Sequence, residues 1–338
     1  MNTLLRWLLR LLGPALLVLF LLSADLGALW ETIRTARPWP IILSLLLMPP
    51  FVIIKSWRWA RILDAMGIRL GLPTACALYT VGLFYGATTP GQAGDLLKAI
   101  YLRDRGQPLA PAMLSVVLDR LFDLLVMAAL ATLGIFALGQ LLPSRELQAA
   151  LVVAMGLGLA CLTVVLVARG PREWMLTTVL PRIAPRLQAS LERWNSQLAS
   201  LALRPRLLAE VGLASLISAS FTFLRLWLLF LALDLTRVPL YVVVGVSALI
   251  AVLQVLPISI AGVGVRDAAL IAVLLPYGYT TEQALTLSAL FLLINLQHIL
   301  VGFIVSFWYP LAAGQPGPVL QLGTEPPVGQ EVRHDPEY

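Results

Sequence analysis

Long apolar runs recur down this chain, at residues 11–29, 40–63, 72–87, 111–138, 147–168, 207–233, 240–258, 268–275 and 284–311. A bilayer core about 30 Å thick is crossed by roughly 20 apolar residues of helix. Most of the runs approach or exceed that length, and a chain built this way has too little polar surface to face water. Composition agrees, with 59% hydrophobic and 12% charged residues, where a soluble domain carries roughly 25% charged. The expected fold class is all-α, a polytopic helical membrane protein. The start of the first run, about Leu11 to Leu22, lies behind Arg6 and Arg10 and has the outline of a signal-peptide core; the expectation is a retained anchor, because multispanning proteins commonly keep their first helix.

Two of the runs are interrupted. Thr88-Thr89-Pro90-Gly91-Gln92-Ala93-Gly94 breaks one and is followed by the charged stretch 95–105, and Pro257 to Asp267 does the same late in the chain. Non-helical backbone at membrane depth exposes unpaired N–H and C=O groups, so it must be buried in protein or line a wet cavity. Both breaks are read as re-entrant helical hairpins.

Positive residues of short loops stay cytoplasmic. Arg6 and Arg10 place the N terminus there, and so do Lys55, Arg58, Arg61 and Arg69 for the end of the second run. The loop 169–206 carries Arg169, Arg172, Arg182, Arg186, Arg193, Arg204 and Arg206 and is expected in the cytoplasm. The expected organisation is a transmembrane lipid-handling domain over 1–311, with half-repeats at about 40–140 and 207–311, and a disordered cytoplasmic tail over 312–338, rich in Pro, Gly and Glu. The localisation that follows is the cell membrane, multi-pass, with a cytoplasmic N terminus.

The half-repeats rest on spacing. Arg58 and Arg225 are 167 positions apart, as are Pro90 and Pro257, while Pro73 and Pro239 are separated by 166 and Gly94 and Gly264 by 170. In the expected topology the helix of Arg58 runs inward and that of Arg225 outward, the inverted-repeat plan in which discontinuous helices at corresponding positions mark a transporter's substrate site. Chance recurrence among Leu-rich segments is the alternative.

Asp119, Arg120 and Asp123 sit inside the 111–138 run; Asp119 lies about 14 Å into a helix starting near Ala110. Facing lipid, the three would cost about 8–10 kcal/mol, so they face protein, water or one another. Asp119 and Asp123 share a helix face. A structural salt bridge to an arginine and a place on a substrate pathway are both open readings, with a divalent-metal pair a remoter one. In Pro90-Gly91-x-x-Gly94-Asp95-x-x-Lys98 the glycines suit a turn before a helix start, where backbone amides and Lys98 fit an anionic headgroup. Alternatively, Asp95 caps the helix and pairs with Lys98. Arg266 and Asp267, beside Gly262 and Gly264, form the matching pair of the second break. Lys55, Arg58 and Arg61 at a membrane boundary would snorkel to lipid phosphates by default, although Arg225 argues for a more specific role for Arg58. Asn295, Gln297 and His298 read as interhelical glue rather than a proton relay.

Function classes are narrowed by what is missing. The net charge of +6 is mostly arginine set between apolar runs, with Lys55 and Lys98 the only lysines, and no nucleic-acid partner is expected. Cys76 and Cys161 fit no zinc or redox spacing. No P-loop, GxSxG, HExxH or dinucleotide GxGxxG is present. The chain is expected not to be an enzyme, and to need neither cofactor nor metal.

Four motifs, Lys55-Ser-Trp-Arg-Trp, Thr89-Pro-Gly-Gln-Ala-Gly-Asp95, Leu118-Asp-Arg-Leu121 and Ile260-Ala-Gly-Val-Gly-Val-Arg-Asp267, resemble in order the lysylphosphatidylglycerol synthase transmembrane (flippase-like) family. The resemblance runs from about Trp57 to Phe307. It implies a membrane module that presents or flips aminoacylated phospholipid, with relatives tied to lipid-linked sugars and other membrane lipids. Two positions depart from the family pattern: Gln92 stands where a Gly is usual and Asp267 where a Glu is usual, so headgroup preference is not carried over. No soluble aminoacyl-transfer domain is recognised, and synthase activity is not carried over either. The expected function is an integral membrane flippase-like protein that binds and translocates a phospholipid or lipid-linked headgroup, with Arg58, Pro90, Gly91, Gly94, Asp95, Lys98, Asp119, Arg120, Asp123, Arg225, Gly262, Gly264, Arg266 and Asp267 as headgroup-binding candidates. The alternative is a non-transporting scaffold that presents lipid to a separate lipid-modifying enzyme.

Overall fold

The computed structural model describes residues 26–137, 144–167, 169–174, 178, 205–253 and 265–309. Most of the first apolar run, the greater part of the loop 169–206, the second break with Pro257, Gly262 and Gly264, and the tail lie outside the described residues. Every described element is helical: α1 (Leu26–Thr35), α2 (Pro38–Leu46), α3 (Met48–Ala65), α4 (Leu72–Thr88), a 3-10 segment (Pro90–Leu96), α5 (Leu97–Arg103), α6 (Leu109–Ala137), α7 (Arg145–Val167), α8 (Arg169–Trp174), α9 (Pro205–Ala232), α10 (Leu240–Leu253), α11 (Val265–Leu274), a 3-10 turn (Leu275–Tyr277) and α12 (Thr281–Trp308). Pro38–Ala65, Pro205–Ala232 and Thr281–Trp308 are each 28 residues long and apolar enough to cross a membrane. This is an all-α membrane protein, and the apolar runs predict these helices to within a few residues.

Local chemistry sets the ends. Pro38 opens α2 behind an extended Arg37, and Pro73 opens α4 behind an extended Gly71, the first-turn position at which a missing N–H costs nothing. Thr280 and Gln283 form a reciprocal capping box at the start of α12. Between α2 and α3 the chain bends at Leu47, where Pro49 and Pro50 follow. Pro49 has no N–H to offer the Leu45 carbonyl one turn back. Gln297 Nε2 on α12 donates to that carbonyl instead, at 2.9 Å.

The bent span α2–α3 runs antiparallel to α9. Arg37 N–H donates to the Ala232 carbonyl, Ser44 Oγ to the Arg225 carbonyl, Arg58 to Ser215 Oγ and Arg61 to Glu210, so position rises on one helix as it falls on the other. An exposed Arg37–Asp234 pair at 3.1 Å and a half-exposed Arg61–Glu210 pair at 2.9 Å close the two ends. The most extensive of the described helix pairings are α6 with α10 and α4 with α12.

At Thr89 the backbone is extended, as a residue before proline must be, and α4 ends there. The 3-10 segment and α5 then fold back along α4. A Cβ added to Gly82 would lie 2.7 Å from Asp95 Oδ1 and from the Lys98 methylenes, and one added to Gly94 would run into the Tyr85 carbonyl. Only glycine permits these approaches. The return arm is thereby seated against the face that bears Tyr79, Gly82 and Gly86.

Two hydrophobic clusters surround this arrangement. Leu226, Val243, Leu270 and Leu287 belong to one, and Trp59, Leu78, Tyr101 and Ile299 to the other, with α12 contributing to both. Ile42, Leu46, Leu213, Leu216, Ile304 and Phe307 point outward, the apolar exterior that lipid requires.

Candidate functional site

Five elements converge on one charged cluster. α3 supplies Lys55 and Arg58, the fold-back supplies Gln92, Asp95 and Lys98, α6 supplies Asp119, Arg120 and Asp123, α4 supplies Tyr79 and α9 supplies Ser215. Arg58 is 0% exposed. Its Nε and one terminal nitrogen donate to Asp119 Oδ1 at 2.9 and 2.6 Å, and the other donates to Asp123 Oδ1 at 2.5 Å and Ser215 Oγ at 2.8 Å. Lys55 takes the second Asp123 oxygen at 2.6 Å. Tyr79 donates its hydroxyl to Asp119 Oδ2 at 3.1 Å. Lys98 Nζ is 2.9 Å from Asp95 and 3.7 Å from Asp119, lies over the Tyr79 ring at 4.0 Å, and meets its carboxylates as ion pairs rather than aligned hydrogen bonds. Arg120 donates to Asp95 Oδ2 at 2.8 Å and to Gln92 Oε1 at 2.7 Å.

Part of this cluster opens onto a cavity of about 410 Å³. Lys55, Asp95, Arg120 and Asp123 form its polar floor, while Leu83, Val116, Leu121 and Met127 are among its apolar walls. A second cavity of about 140 Å³ borders Arg225 and shares Phe51, Thr222, Asn295 and His298 with the first. Arg225, 2% exposed, donates to the Ser44 carbonyl at 3.0 Å and Gln297 Oε1 at 2.7 Å, and lies 3.1 Å from His298 Nε2. A guanidinium only donates, so that Nε2 accepts and the imidazole is neutral.

Several residue-level expectations are thereby revised. Arg58 and Lys55 do not snorkel, because Asp119 and Asp123 neutralise them inside the protein; Arg61 instead pairs across to Glu210. Asp95 does not cap α5, whose N-cap is Leu96 without a side-chain bond; it does pair with Lys98. Asp119 and Asp123 share a face as read, and both are bonded to cations. Asp119 and Arg58 are sealed behind the cavity rather than lining it. Arg266 donates to Ser288, which donates in turn to Asp267, and neither charged residue is among the described residues lining the two cavities. Pro90, Gly91 and Gly94 form the fold-back, whereas Gly262 and Gly264 lie outside the described residues.

A model of the family described as Lysylphosphatidylglycerol synthase TM region matches residues 7–302. The chain belongs to that family. No curated protein matches it. Membership ties this member to the metabolism of membrane lipids, and the cluster of α3, α6 and the fold-back falls wholly within the matched region.

Sequence reasoning missed Tyr79, Gln92, Ser215 and Thr222 as parts of the site and gave Lys55 only a boundary role. Lys55 lies one turn before Arg58, a spacing that could have placed it; Tyr79 and Ser215 carried no signal. Gln92 has a structural signature, a left-handed backbone with φ 56°, which suits glycine and strains other residues. The strain persists while its side chain holds Arg120. Gln92→Ala keeps the strain and loses the bond, whereas Gln92→Gly loses both. The glycine variant is expected to be more stable than the alanine variant by about 1 kcal/mol, read from their thermal melts; equal melts would mean that the backbone relaxes on its own.

Proposed function

We propose that this protein is flippase-like: it binds a phospholipid or lipid-linked headgroup in the 410 Å³ cavity and moves it across the cell membrane, without catalysing a covalent reaction. The carrying observation is the cavity's construction. Its charged floor would otherwise be intolerable at membrane depth, and its apolar walls suit an acyl chain. The family's link to membrane lipids supports the same reading.

Movement between leaflets requires access from both faces, and an inverted repeat supplies it. Support for the repeat comes from exchange of contacts between halves. Arg58 bonds Ser215 of the other half, and Arg225 bonds Ser44 of the first. The α4–α12 and α6–α10 packings are likewise exchanged, with Gly302 against Thr80 in one and Gly134 against Gly245 in the other. In this reading the fold-back after α4 is a re-entrant hairpin; its expected counterpart, the second break, lies outside the described residues. The N terminus and the loop 169–206 are cytoplasmic. External labelling of a cysteine introduced into that loop in sealed cells would refute this orientation.

The test is translocation of a labelled phospholipid in proteoliposomes, run beside identification of the lipid retained on gentle purification. Lipid retained and moved faster than in empty liposomes supports transport. Lipid retained but not moved supports the scaffold alternative, in which a separate enzyme receives it. Lipid neither retained nor moved overturns both.

A further inference from the structure

We infer that the paired cavities select a headgroup of net negative charge and reject a net cationic, aminoacylated one, with Arg225 as the residue that sets this preference. The inference rests on the lipid-handling reading and goes beyond it by naming the class of headgroup.

The charged residues that line the larger cavity balance, Lys55 and Arg120 against Asp95 and Asp123, and behind them Arg58 and Lys98 are paired with Asp119, Asp123 and Asp95. Every one of those cations has a carboxylate within 4 Å. Arg225 differs. Among the described residues no carboxylate lies within salt-bridge distance of it, and its hydrogen-bond partners, Ser44, Gln297 and His298, are neutral. With Arg225 the walls of the two cavities carry an excess of one positive charge. A guanidinium buried to this degree without a countercharge is strongly disfavoured unless something anionic completes it, and the cavity of about 140 Å³ beside it leaves room for a group to do so.

Phe51 links the two chambers. It lines both, with the Lys55 ammonium 5.1 Å and the Arg225 guanidinium 5.9 Å from its ring centre. A phosphate entering from the Arg120 side therefore meets Arg225 across a shared wall. A headgroup that adds an α-amino or lysyl ammonium brings a positive charge into a chamber already in positive excess. At separations of several ångströms and intermediate dielectric, one such charge changes affinity by about tenfold or more. The apolar walls favour a lipid over a free anion as the source of the phosphate.

The test uses the full chain in nanodiscs, scored for lipid retention by native mass spectrometry with phosphatidylglycerol, phosphatidylethanolamine and lysyl-phosphatidylglycerol offered at equal mole fraction. Phosphatidylglycerol is expected to be retained about tenfold over the lysyl form, with phosphatidylethanolamine between them. Arg225→Gln should bring the ratio towards unity and Arg225→Lys should keep most of it. Should Arg225→Gln fail to fold, Asn295→Asp supplies the second reading: placing a carboxylate on the wall common to both chambers should lower the ratio. Lipids retained without regard to charge, or a well-folded Arg225→Gln that keeps the wild-type preference, would overturn the inference while leaving lipid handling intact. Retention of none of the three defeats the lipid reading itself. An Arg225-dependent stabilisation of the detergent-solubilised protein by inorganic phosphate, equal to that by phosphatidylglycerol, would assign the chamber to a free anion and overturn the headgroup claim.

Discussion

Asp119→Asn is expected to destabilise the protein by about 3–5 kcal/mol, because removing one partner of a buried ion pair strands the other. Asp119 is 0% exposed and accepts from Arg58, Tyr79 and, as an ion pair, Lys98. Asparagine preserves the shape but not the charge, which leaves Arg58, also fully buried, with Asp123 alone. The measurement is folded yield after detergent extraction together with a thermal melt. A variant that accumulates normally and melts within a degree of the parent would show that the Asp119 charge is not required for stability, and would return Asp119 to the headgroup path. Arg58→Gln should behave alike, since it leaves Asp119 with only the Tyr79 hydroxyl and the Lys98 ammonium at 3.7 Å, and Asp123 with Lys55 alone.

Arg120→Gln should separate function from folding. Arg120 lines the cavity, and the Asp95 carboxylate it bonds keeps Lys98 at 2.9 Å when Arg120 is lost. The stability loss is therefore expected to stay within about 1.5–3 kcal/mol, the scale of a charged hydrogen bond whose loss leaves no unpaired ion. Translocation of an anionic lipid should nevertheless fall at least tenfold, because a guanidinium able to meet phosphate oxygens is replaced by a neutral amide. A proteoliposome assay normalised to folded protein reads the rate. Parental rates from a well-folded Arg120→Gln would remove Arg120 from the headgroup path.

Helix positions were legible in the sequence because each depends on local signals: an apolar run, a first-turn proline, a break at Thr89-Pro90. Asp119 and Asp123 were legible as groups needing partners, since a carboxylate in an apolar helix has few alternatives. Their partner was harder to read. Arg58 at the end of an apolar run looks the same in sequence whether it reaches lipid or turns inward, and the difference lies in α6 arriving beside it. Tyr79, Ser215 and Thr222 are ordinary side chains in apolar helices, and only packing gives them a role. Gln92 stood out in sequence as a departure from a glycine pattern, but its cause, a left-handed backbone held to place an amide on Arg120, is a property of the folded chain.

The bend before Pro49 keeps its shape only with help from neighbouring helices. Lipid offers no water to the Leu45 carbonyl that Pro49 leaves bare, so it takes its donor from α12 through Gln297, while Arg225 bonds the neighbouring Ser44 carbonyl. Gln297 is itself held by Arg225. Loss of the Arg225 guanidinium would therefore loosen the hold on Ser44 and on Gln297 together. One arginine thus braces the span twice, directly through Ser44 and at one remove through Gln297.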